Sequence, residues 1–306
     1  MKRAGSVLLA AAGIALFGWF ALRFPWAAAL RSVESASLPL LGVVALANLL
    51  SLVAKGAAWH LLLRRTARPQ MAEAISATLV GAAAGSLGPS VAGEAARLRL
   101  IVGRGGVTLG GGLSTVVGAR VLEAVALLAV LSLAGMVLPP SPWTHALRLT
   151  APVLLAATAV LSRPRLLRWI ADRFPPRAGN VLRRWGATLG DRGTAGALLF
   201  SGVNWLLQWA AYAAAGLAVS LPHAGAIGFA ALLLCNVGGA ARLTPGNIGV
   251  LQASFALAAA QYGAGAAGAL AASLLLQAAQ VLPVIAVGLG IVASTARGRE
   301  RAETVA

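Results

Sequence analysis

The residues able to do chemistry in this 306-residue chain are few, and most fall in three short runs. The first is Pro89-Ser-Val-Ala-Gly-Glu-Ala-Ala-Arg97. Behind Pro89 and Gly93 it sets Glu94 and Arg97 on one helical face, where they can pair with each other or hold a charged headgroup. The second, Ala119-Arg-Val-Leu-Glu123, repeats that spacing with Arg120 and Glu123 inside a long apolar stretch. Charge is expensive at such a place and usually faces the interior of a helix bundle. The third is Arg242-Leu-Thr-Pro-Gly-Asn-Ile-Gly-Val-Leu-Gln252. Pro245 lacks an N–H, and Gly246 and Gly249 carry no Cβ where chains approach closely. A turn there would free backbone N–H groups from about Asn247 onward. With Arg242 and Thr244 just before it, such a helix start would attract an anion such as phosphate. The same residues also fit a turn that only packs two helices, with Arg242 reaching for the interface.

Little else in the sequence nominates an activity. His60, His145 and His223 are scattered, and none stands at metal-ligand spacing from a cysteine or carboxylate. No phosphate-cradling Gly-x₄-Gly-Lys-Ser/Thr segment is present. The expectation is therefore a protein that is not an enzyme and carries no metal or cofactor. The lone Cys235, in an apolar run, excludes an intramolecular disulfide and reads as a small core residue.

What must position these runs is a membrane. Hydrophobic residues make up 59% of the chain and charged ones 11%, against about 25% charged in a soluble domain. Six segments are long and apolar enough to cross: 5–22, 38–63, 107–138, 143–161, 195–217 and 264–293. The N-terminal segment begins like a signal peptide, but its length makes an uncleaved first helix the expectation. The net charge of +17 lies mostly in short segments between apolar blocks, the pattern of cytoplasmic loops rather than of nucleic-acid binding. It predicts a multi-pass protein of the cell inner membrane with both termini in the cytoplasm. The basic loop from Arg163 to Arg192 is a topology signal, a surface for anionic lipid, or a docking surface for another protein.

Two apolar segments are left over, 74–102 and 225–263, and each is interrupted by a proline, Pro89 or Pro245. The leading arm of the first, 74–87, would be about 21 Å long as a helix, too short for a hydrocarbon core of about 30 Å. Both segments therefore predict re-entrant helical hairpins. The fold expected is an all-α polytopic membrane protein, about six transmembrane helices plus two such hairpins, in a single integral membrane domain over 1–306. Residues 1–140 and 141–306 would form an inverted repeat, with the hairpins entering from opposite faces. Polar residues recur along three spans: Asn48, Ser51 and Lys55; Asn204, Gln208 and Tyr212; Ser273, Gln277 and Gln280. Interhelical hydrogen bonds are their default use.

Taken in order, Pro-x₃-Gly-Glu-x₂-Arg (Pro89 to Arg97), Ala-Arg-Val-Leu-Glu (119–123) and Leu-Thr-Pro-Gly-Asn-Ile-Gly-Val-Leu-Gln (243–252) resemble the lysylphosphatidylglycerol synthase transmembrane region, a flippase-like integral membrane family. The likeness runs from about Leu38 to Ala293. It implies translocation or transport of a membrane lipid, anionic or isoprenoid-linked, with the residues of these motifs lining the path. It also implies no lipid synthesis, because the soluble transferase domain of the bifunctional members is not seen before Ala306. The pattern departs from the family at Ala119, Glu123, Asn247 and Gln252. The carboxylates missing at 119 and 252 bring into question a proton-coupled step through those positions. Two other readings are a non-transporting accessory subunit of a lipid-biosynthesis enzyme and a transporter of small solutes or ions.

Overall fold

The computed structural model describes residues 26–65, 67–88, 90–140, 142–161, 169–173, 175, 192–239 and 247–305. Its elements are helical: α1 (Trp26–Glu34), α2 (Leu38–Leu63), α3 (Met71–Leu87), α4 (Ser90–Ile101), a 3₁₀ turn (Arg104–Gly106), α5 (Leu109–Val137), α6 (Pro142–Leu161), α7 (Arg192–Ala218), α8 (Ala224–Gly239), α9 (Val250–Ala260) and α10 (Ala266–Val305). The all-α polytopic expectation holds. Span 5–22 and the basic loop, apart from 169–173, 175 and Arg192, lie outside the described residues. The remaining expected spans are helices of 20 residues or more. Three of them, Leu38–Leu63, Leu109–Val137 and Ala266–Arg297, are long and apolar enough to cross a membrane.

Local chemistry sets where the helices start. Pro39 stands in the first turn of α2, where a missing N–H costs nothing. The Thr108 hydroxyl accepts from the N–H of Gly111 at 3.1 Å to begin α5. Glu73 accepts from the N–H of Gln70 at 2.9 Å, and its other oxygen takes Arg104 at 3.1 Å. This cap starts α3 at Met71, three residues before the arm expected from apolarity alone.

The scaffold is the pair α2 and α7, which run antiparallel. Ser37 donates to the carbonyl of Ala218 at 2.9 Å. At the other end the Arg65 guanidinium donates to the Thr194 hydroxyl. The short helices fold as two hairpins on this pair. Arms α3 and α4 are antiparallel, with Gly81 beside Arg97 and Gly85 beside Gly93. Their base is tied at the Arg65 end by the N–H of Arg68 on the carbonyl of Gly105. Arm α8 begins at the other end, where Gly216 meets Ala224, and α9 returns to it, bringing Tyr262 beside His223. The hairpins therefore enter from opposite ends of the scaffold. None of the four arms is long enough to cross: 17, 12, 16 and 11 residues give about 25, 18, 24 and 17 Å, against a core of about 30 Å.

The order long helix, hairpin, long helix occurs twice, as α2 to α5 and as α7 to α10. Helix α10 runs parallel to α2 and seats on the first hairpin, where Gly288 leaves no room for a Cβ against Ala83. In the matching place α5 packs on the second hairpin, with Val130 and Ala134 against Ala226 and Phe229. The main core lies between the second hairpin, α7 and α10, around Ile227, Phe255 and Leu276.

A candidate ligand cleft between the hairpin tips

Glu123 stands halfway along the 29 residues of α5, about 21 Å from either end. A carboxylate at that depth needs partners, and α2 and its own helix supply them directly. Lys55 of α2 reaches its Oε1 at 3.1 Å. Arg120, one turn back on α5, reaches its Oε2 at 3.0 Å and also pairs with Glu94 of α4. Arg97, also on α4, completes the chain with Nη1 3.7 Å from Glu94. Two pairs that stand at the same i,i+3 spacing in the sequence are thus one five-membered network. It sums to one net positive charge, from Lys55, Arg97 and Arg120 against Glu94 and Glu123.

Arg97 is the most enclosed cation of the network. It is 4% exposed, and its guanidinium lies over the Trp59 ring, 3.7 Å from the centroid. The stack holds the cation while leaving its edge donors unused. Nε and Nη2 have no hydrogen-bond partner among the described residues. The indole is itself fixed by donating to the Thr115 hydroxyl at 3.0 Å. Close packing of the hairpin arms puts Arg97 there. A Cβ on Gly93 would lie 2.6 Å from the carbonyl oxygen of Gly81, and one on Gly81 would lie 2.9 Å from the Arg97 Cβ.

Two adjoining cavities open at the network. The smaller, about 300 Å³, is bordered by Gly93, Glu94, Arg97 and Arg120, by Gly85 and Ser86 at the end of α3, and by Asn247 of the second hairpin. The larger, about 700 Å³, is bordered by Glu123, Asn204, Trp205, Gln208, Tyr212 and Asn236. Asn48, Leu52, Lys55, Arg120, Asn247 and Gln280 border both, so the cavities form one cleft. Ser86 of the first hairpin and Asn247 of the second both border its smaller part.

Of the residues expected from sequence, Gly93, Glu94, Arg97, Arg120, Glu123 and Asn247 are brought together here. Gly249 and Gln252 border neither cavity. Gly249 takes φ +86° before α9, and its N–H donates to Gln252 Oε1 at 2.7 Å. Gln252 Nε2 donates to Gln277 at 2.8 Å, pinning α9 to α10. The helix start expected to offer free N–H groups is therefore partly capped from within. Asn247 holds the left-handed φ of +56°, which Asn tolerates better than most residues. Pro89, Arg242, Thr244, Pro245 and Gly246 lie outside the described residues. Lys55 entered the sequence reading only as part of a polar stripe, and Trp59 not at all. A lysine deep in an apolar segment was the available signal for the first; nothing in the spacing singles out Trp59.

The polar stripes also converge. Gln208 donates to the Ser51 hydroxyl at 2.7 Å and to Asn48 at 3.4 Å. Asn48 donates to the carbonyl of Gln280 at 3.2 Å. Trp205 donates to the carbonyl of Glu123 at 2.8 Å, tying α7 to the charged network.

Residues 5–288 match the family model described as the lysylphosphatidylglycerol synthase TM region, and the chain belongs to that family. No curated protein and no solved structure matches it significantly. Membership brings a lipid-related membrane role.

Proposed function

We propose that this member of the lysylphosphatidylglycerol synthase TM family binds the anionic headgroup of a membrane lipid in the cleft and carries it between leaflets, without covalent chemistry. The observation behind this reading is Arg97: a cation buried at hairpin depth, bordering a cavity, with two nitrogens lacking hydrogen-bond partners. Buried polar groups are ordinarily satisfied, and a phosphate oxygen is the acceptor a guanidinium edge fits best. The one net positive charge of the network supports the same sign of ligand. Opposed hairpins whose arms stop short of a full crossing supply the geometry for access from either face in turn. We further propose that both termini lie in the cytoplasm. Arg64, Arg65, Arg68 and Arg104 gather at one end of the scaffold, the end toward which the C-terminal part of α10 runs, and basic loops favour that side.

The test is transfer of labelled phosphatidylglycerol and labelled phosphatidylcholine between leaflets of proteoliposomes. The wild-type protein should move the anionic lipid faster. Arg97→Gln and Arg120→Gln should each slow it by about tenfold or more, the scale of one charge-assisted hydrogen bond. Equal rates for wild type and both variants, with the proteins reconstituted at equal density, sink the proposal.

A further inference from the structure

Arg97 and Arg120, two of the cations bordering the smaller cavity, already share an anion of the chain's own. Glu94 accepts from the Arg120 guanidinium through Oε1, and its Oε2 lies 3.7 Å from Nη1 of Arg97. That second contact is an ion pair too long for a hydrogen bond. Glu94 Oε2 is buried and, like Nε and Nη2 of Arg97, has no hydrogen-bond partner among the described residues. Arm packing fixes the arrangement: Gly93, the residue before Glu94, lies too close to Gly81 and Gly85 of α3 to admit a Cβ. The carboxylate is thus held beside Arg97 without being fully bonded to it. Glu123 is bound more closely, at 3.1 Å from Lys55 and 3.0 Å from Arg120.

Two facts separate Glu94 from a purely structural counterion. Neither arginine depends on it alone for its place: Arg120 keeps Glu123 at 3.0 Å, and Arg97 keeps its stack on Trp59. Further, an anion on the free edge of Arg97 would share one guanidinium with Glu94, which sets the two negative groups less than about 10 Å apart. At an effective dielectric of about 20, repulsion between two unit charges at that distance exceeds the worth of a tenfold change in affinity. The carboxylate therefore opposes the ligand that the arginines attract.

We infer that Glu94 is an internal competitor for the anion site, giving up Arg97 when the ligand's phosphate arrives and taking it back when the ligand leaves. The inference rests on the anion reading above and adds how the bound group is let go. With Glu94 charged, the network carries one net positive charge, which a singly charged anion neutralises. Without that charge, Lys55, Arg97 and Arg120 would face Glu123 alone, and the same anion would leave the site still positive. A translocation site must bind well enough to admit its ligand and weakly enough to release it. The exchange is one of ion pairs; no covalent bond forms or breaks.

The experiment follows phosphatidylglycerol in two measurements on the full chain. Binding is read by native mass spectrometry of protein released from phosphatidylcholine nanodiscs, and transfer between leaflets by the proteoliposome assay. Glu94→Gln keeps the shape and an acceptor for Arg120 while removing the charge. It should bind phosphatidylglycerol at least about tenfold more tightly and move it at least about tenfold more slowly. Glu94→Asp, which restores the charge, should return both quantities to within about threefold of the parent. A carboxylate that merely held the arginines in place would give the opposite sign, with weaker binding in Glu94→Gln. Unchanged or weaker binding in that variant overturns the inference, as does tighter binding with transfer undiminished. Where Glu94→Gln is not recovered folded, Glu94→Ala carries the same expectations. Failure of both to fold while Glu94→Asp folds would make Glu94 a structural counterion, against the inference. If the parent chain shows no preference for phosphatidylglycerol over phosphatidylcholine, the anion reading itself fails.

Discussion

Replacing Glu123 by Gln tests whether the charged residues form one network. Glu123 is the acceptor for Lys55 at 3.1 Å and for Arg120 at 3.0 Å, and its own side chain is 10% exposed. Removing its charge leaves the Lys55 ammonium, 22% exposed, without its carboxylate partner. Arg120 retains Glu94 and is 42% exposed, so its share of the loss is small. The cost should thus come mainly from Lys55. Breaking a buried ion pair from one side costs about 3–5 kcal/mol, similar to the penalty of about 2.5–3.5 kcal/mol for an uncompensated lysine at mid-membrane. At roughly 2 °C per kcal/mol, the melting temperature should fall by about 6 °C or more. Removing both charges should recover most of this, because an apolar pair leaves nothing buried and charged. The double variant Lys55→Met with Glu123→Gln should therefore lie within about 1 kcal/mol of the parent, a coupling of at least about 2 kcal/mol. Thermal unfolding of the purified chain in mild detergent gives all four corners of the cycle. Additive losses would refute the reasoning, since they would mean that Lys55 finds equal solvation without Glu123.

The hairpin packing makes a steric prediction. Gly93→Ala puts a Cβ 2.6 Å from a backbone oxygen and 3.1 Å from a backbone carbon, so it should destabilise by about 1–3 kcal/mol. Gly202→Ala and Gly290→Ala meet nothing within 4 Å and should be neutral or stabilise by up to about 1 kcal/mol; unfolding scans separate the cases. At the second tip, Asn247→Gly should be tolerated, whereas Asn247→Val should cost at least about 1–2 kcal/mol because the residue holds φ +56°. Protease nicking near residue 247 would read that loosening.

The parts of this fold legible in the sequence were those set by length and breakage. Apolar runs of about 20 residues marked the long helices, and Pro89 and Pro245 marked where two runs could not be continuous. Their shortness then gave the hairpins, because a helix of 11 to 17 residues cannot reach across. Pairing was less legible. The i,i+3 spacing put Glu94 with Arg97, and Arg120 with Glu123, on one helical face, and left open whether each pair closes on itself or faces a ligand. Each ion also has partners on other elements, which spacing along one helix cannot reveal. The cap made by Gln252 was hidden for a related reason. The family motif singles out this residue but is silent on its local partner, and it stands three residues after Gly249, where it caps the helix. The unused donors of Arg97 were invisible in sequence, since being unsatisfied is a property of the surroundings.

The broken helices and the buried charges need each other. Backbone that stops halfway through hydrocarbon leaves polar groups that survive only against protein or a wet cavity. Glu123 at the middle of α5 needs cations at the same depth, and a full crossing could bring them only from its own mid-section. Lys55 comes that way. Glu94 and Arg97 come instead from a hairpin arm of 12 residues, which reaches that depth because it ends nearby. The second hairpin brings Asn247 to the same cleft from the opposite end. Each hairpin alone would be a polar defect in the membrane; together with the mid-helix charges they enclose one polar cleft. Purely structural packing could have used apolar residues at 55, 97, 120 and 123 without the cost of burying charge. Keeping five ions there, with two nitrogens of Arg97 left without a partner among the described residues, fits a cleft built to receive a polar ligand.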